Sequence, residues 1–137
     1  MPRDEEVHEP SDRGEAREWL AKASLGLEAA TTLLRAPTPL PAVAMFRARQ
    51  AAEKSWKALL ALHGEEIRKT HDLRELGRQV SAIDPGLADL AAKGASLTPF
   101  AWIFRYPGES DEPTLDEAVE VVSLARSKFE AIRGRYG

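Results

Sequence analysis

The chain contains no cysteine, so neither a disulfide nor a thiolate zinc site can hold it together. It lacks an unbroken apolar run of the length that a bilayer demands, which excludes a membrane-spanning helix. Its polar start, MPRDEEVHEPSDRG, has none of the apolar centre of a secretory leader, and a cytoplasmic setting is the expectation. The three histidines, His8, His63 and His71, have no metal-ligand spacing with one another or with a carboxylate cluster. No glycine-rich phosphate loop, P-loop or nucleophile motif appears, and no alternating apolar pattern long enough for a strand. Neither a metal nor a cofactor is expected.

What is present is an ordinary globular composition, 43% apolar and 30% charged over 137 residues, enough for one domain with a real core. A net charge of -3 argues against a wholesale nucleic-acid coat, while a local basic stripe on a mildly acidic body stays open. Residues 1–14 read as a flexible polar tail, and 15–137 as the folded unit.

From Glu15 the pattern turns helical. Ala16, Trp19, Leu20, Ala23, Leu27, Ala30 and Leu34 recur every three or four residues. RAPTPLPA stops this helix, because its prolines remove backbone donors and restrict their neighbours. A second helix runs from about Ala42 to His63 with Met45, Ala52, Trp56, Leu59 and Leu60 on its apolar stripe and Gly64 as its stop. A third carries Leu73, Leu76, Val80 and Ile83, with Asp72 as N-cap and Glu75 three residues on. DPG turns the chain and LADLAAKGA makes a short helix. The last helix starts at the Thr114–Glu117 capping box and buries Leu115, Ala118, Val121, Val122, Ala125, Phe129, Ile132 and Tyr136. The fold predicted is an all-α, up-and-down bundle of four to five helices.

Candidate functional residues are few. His71, beside Lys69, reads either as a base or phosphate contact or as part of a helix start that Asp72 caps. The structural reading leads, and the two overlap because helix starts bind anions. Arg105 and Tyr106 offer a bidentate phosphate grip and a stacking surface, or simply end a helix before Pro107. Phe100, Trp102 and Phe104 are read as core or as a dimer surface. Arg47, Gln50, Lys54 and Lys57 share one stripe of the second helix, read first as a solvated face and second as a track for phosphates or an acidic partner. Arg49 and Glu53, four apart at the stripe's edge, suggest a partly buried ion pair.

Four segments in order, AREWLAKASLGLEAATTLL, FRARQAAEKSWKALLALHG, KTHDLREL and FRYPGE, make residues 15 to 135 resemble the HEPN family of small all-α domains. The resemblance implies a helical bundle that forms a homodimer. It also implies pairing with a minimal nucleotidyltransferase in toxin–antitoxin systems, and nucleotide or RNA as ligand. The residues read as candidates to contact such a ligand are Arg47, Lys54, Lys57, Lys69, His71 and Arg105. Many members are metal-independent ribonucleases with an Arg followed a few residues later by a His. Here the candidate is Arg105, and RYPGESDEPTL contains no histidine. A histidine suits proton transfer from a 2′-hydroxyl near neutral pH, so its absence points to a module that binds without catalysing. The alternative is a divergent ribonuclease using Arg105, Tyr106 and His71.

Overall fold

The computed structural model describes residues 10–67, 69–93 and 113–136. Among the described residues the elements are α1 (Pro10–Arg35), α2 (Pro41–Leu62), α3 (Leu73–Ile83), a 3₁₀ turn (Pro85–Leu87), α4 (Ala88–Ala92) and α5 (Leu115–Tyr136), with no strand. The all-α bundle expected from the periodicity is what forms. Arg105 and Tyr106, with Phe100, Trp102 and Phe104, lie outside the described residues, as do Arg68 and His8.

The buried residues of α1, Ala16, Leu20, Ala23, Leu27 and Ala30, alternate steps of four and three. That spacing is the seam of a helix packed nearly antiparallel on a neighbour. The neighbour is α2, whose Ala51 stands against Gly26 of α1, while Ala44, Ala48, Ala52 and Ala58 join the same core. Alanine on both sides lets the two backbones approach closely, and Trp56 fills the volume farther down α2 with its side chain fully buried. Pro41 opens α2 at a position where its missing N–H costs nothing. Gly64 closes it at φ +69°, with Gly64 N–H donating to Ala61 O and Glu65 N–H to Leu60 O, a Schellman arrangement.

Helix α1 begins at Pro10, ahead of the expected Glu15, so residues 10–14 belong to a helix and not to the tail. The cause is tertiary. Arg13 donates to the Tyr136 carbonyl at 2.9 Å and stacks over the Tyr136 ring at 4.5 Å, while Arg17 Nε reaches the Tyr136 hydroxyl at 3.2 Å. At the other end of the pair, Arg126 donates to Thr31 Oγ1. Helix α5 is thus antiparallel to α1 and runs alongside α2.

The capping box of α5 closes in both directions: Thr114 N–H donates to Glu117 Oε1 at 2.7 Å, and Glu117 N–H to Thr114 Oγ1 at 3.1 Å. Its apolar seam is Ala118, Val122, Ala125, Phe129 and Ile132. Leu115, expected in the core, is exposed because it sits on the first turn outside that seam. Lys128, polar and unforeseen there, is buried. Gly77 of α3 faces Ala91 of α4, where an added Cβ would stand 3.3 Å from the Ala91 methyl, and this sets how closely the two helices pack. Asp84 joins the end of α3 to the end of α5: one carboxylate oxygen accepts from Gly86 N–H at 3.0 Å, the other from Arg135 Nε. The Arg135 hydrogen bond holds the Asp84 carboxyl below its usual range.

Candidate functional site

The loop 69–72 is built by its own side chains. Asp72 N–H donates to Thr70 Oγ1 at 3.1 Å, and Asp72 Oδ1 accepts from Arg74 N–H at 2.9 Å and Glu75 N–H at 3.4 Å. Asp72 is therefore the N-cap of α3. The second half of the expected box differs, since the Glu75 carboxylate accepts the Thr70 hydroxyl at 3.3 Å. Thr70 takes the place that the Asp72 amide has in the reciprocal motif.

This turn sets His71 against α2. Its Nδ1 stands 2.9 Å from Glu53 Oε2 on α2. The imidazole is 74% exposed and the Glu53 side chain 5%. With Glu53 ionised, Nδ1–H donates and Nε2 remains an acceptor, the tautomer that a general base requires. The pairing unites the two readings of His71: it fastens a loop to α2 and still presents a ring to solvent.

Glu53 makes its hydrogen bond to His71, and Arg49, four residues before it, acts on it through charge. Burial pushes the Glu53 carboxyl above its ordinary range, opposed first by the His71 hydrogen bond and then by the charges of His71, Lys57 and Arg49. Its Oε1 is buried with no hydrogen-bond partner among the described residues. Arg49 is itself buried, and the lost hydration lowers its guanidinium to about 10, against the attraction of Glu53 and Asp72.

Of the predicted stripe on α2, Arg47 is exposed, Gln50 and Lys54 are half-buried, and Lys57 is buried. Lys57 departs from a solvated face because Trp19 of α1 lies under its ammonium, 5.4 Å from ring centre to Nζ. Desolvation lowers the Lys54 ammonium, partly countered by Glu53, while Lys22, Lys57 and Arg47 push it further down. Arg47, Lys54 and Lys57 are therefore gathered with Lys22 of α1. Lys69 is exposed, two residues before His71.

Three contributors were not legible from spacing. Glu53 and His71 are eighteen residues apart, and nothing local couples them. Lys22 joins the cations only because α1 and α2 pack side by side. Lys128 stands next to Phe129 on the α5 seam, and that adjacency was the available signal. Among the described residues no group of His, Cys, Asp and Glu could hold a metal ion, and no described helix is long and apolar enough to cross a membrane.

An all-α bundle with a histidine-bearing turn and a basic face on its second helix defines the class. The HEPN domain family model matches residues 16–134, and the chain belongs to the HEPN family. No curated protein and no solved structure matches it.

Proposed function

We propose that the chain acts as a HEPN-type binding module. It forms a homodimer, docks on a nucleotidyltransferase partner, and takes a phosphate of a nucleotide or RNA on the basic face of α2. The observation that carries the ligand part is the crowding of like charge around Lys54 by Lys22, Lys57 and Arg47. Among the described residues no carboxylate forms an ion pair with Lys22 or Lys54. On a chain of net charge -3 such a concentration of cations favours an anionic partner. Family membership supports the dimer and the nucleotidyltransferase, and a cytoplasmic setting belongs to the same reading.

Light scattering after size exclusion tests the dimer, and copurification with the product of the neighbouring gene tests the partner. Titration with ATP and with a short single-stranded RNA tests the ligand. A stable monomer that ignores both ligands overturns the reading.

A second reading has one specific observation behind it: the Glu53-anchored imidazole of His71 with its outer nitrogen available. In that reading His71 Nε2 takes the proton of a 2′-hydroxyl, and Arg105 with Tyr106 serves the phosphate. RNA cleavage in EDTA that disappears in His71→Ala and in Arg105→Ala, with circular dichroism unchanged, is its signature. Intact RNA at micromolar protein removes it.

A further inference from the structure

Lys128 is 2% exposed, on the seam of α5 against α2. Its ammonium lies over the face of the Trp56 ring, 5.5 Å from the centre, and among the described residues it forms no hydrogen bond or ion pair. Trp56 Nε1, on the same ring, is a further buried donor with no acceptor among the described residues. Lys128 also lines a small cavity of about 20 Å³, with Arg49 as the other charged wall; Ala48, Ala52, Leu73 and Ala125 supply most of the rest. An ammonium on a side chain so nearly withdrawn from water, with no acceptor among the described residues, is expensive, and a second cation lining the same cavity makes it more so.

The geometry points to a halide-class monoanion site in this cavity, with Lys128 as its principal ligand and Arg49 as the neighbouring charge. A cavity of that size holds a single water-sized body. Its apolar walls offer no donors for the several oxygens of a phosphate or sulfate, which would be stranded there. A weakly hydrated monatomic anion leaves no such atom unsatisfied and neutralises the ammonium. This inference does not depend on the proposed ligand face of α2.

The test uses the whole wild-type chain. Thermal unfolding is followed in sodium bromide and in sodium gluconate at equal ionic strength, and crystals soaked in bromide are measured at the bromine edge. The expectation is a saturable rise in Tm of about 4 °C in bromide at roughly ten times its Kd. The Lys128→Met chain loses that rise, and an anomalous peak stands beside Lys128 Nζ. Parallel salt responses in wild type and Lys128→Met overturn the site. So does an empty anomalous map at saturating bromide, a result that holds whether or not the variant folds.

Discussion

His71 Nδ1 and Glu53 Oε2 stand 2.9 Å apart, joining a side chain that is mostly in solvent to one that is almost wholly out of it. The exposed partner is the one free to meet a ligand, and the buried one determines how it is held. Deleting His71 leaves the buried Glu53 carboxyl with no hydrogen bond among the described residues, which costs about 1–3 kcal/mol. Urea unfolding of His71→Ala measures this.

The same pair sets a pH dependence. Glu53 is raised in the folded chain, so its contribution to stability is fully present below the ordinary carboxyl value near 4.5 and is lost as pH rises through the folded value. Glu53→Gln has no such group to ionise. Its stability relative to wild type improves as pH climbs above about 4.5, and a variant that tracks the wild-type curve at every pH contradicts the assignment.

Lys128 titrates the other way. Burial, with Arg49 adding to it, holds the ammonium at about 8 against 10.5 in the unfolded chain. Below pH 8 the unfolded chain gains more from protonation, and the cost in a halide-free buffer is on the order of 3 kcal/mol. It is relieved between pH 8 and 10.5, so wild-type stability rises across that window. Lys128→Met is expected to be more stable at pH 7 and flat from 8 to 10.5; calorimetry at four pH values decides.

The two halves of the α3 box separate cleanly. Asp72→Ala removes the acceptor of two backbone donors at the start of α3 and costs about 1 kcal/mol. Because the same turn aims His71, this variant also weakens anything His71 does. Glu75→Ala removes the acceptor of the Thr70 hydroxyl while the Asp72 cap stays, and its loss is the smaller in chemical unfolding.

On α2, Lys54→Glu reverses charge at the centre of the cation cluster. It is expected to weaken RNA binding at all sequences alike and to lower the salt slope of log K by about 1. An unchanged slope places the RNA, if bound, on another face.

Much of the fold was legible locally. The four-three spacing from Ala16 to Ala30, the prolines before Ala42, the stop at Gly64 and the Thr114–Glu117 box each act through neighbours in the chain, and each is found in the structure. The early start of α1 at Pro10 was not legible, because Arg13 meets Tyr136 from the far end of the chain.

The order of residues alone determined an all-α, cysteine-free chain whose helices carry apolar seams, because periodicity, caps and prolines operate over a few residues. It also marked Arg49, Glu53, Lys54 and His71 as worth attention. Only the packing of α2 against α1, α5 and the 69–72 turn decided that Glu53 belongs to His71, that Lys22 and Lys54 share one field, and that Lys128 is buried beside Trp56. Hydration loss and charge both depend on distance through space, and that distance does not exist until the helices have met.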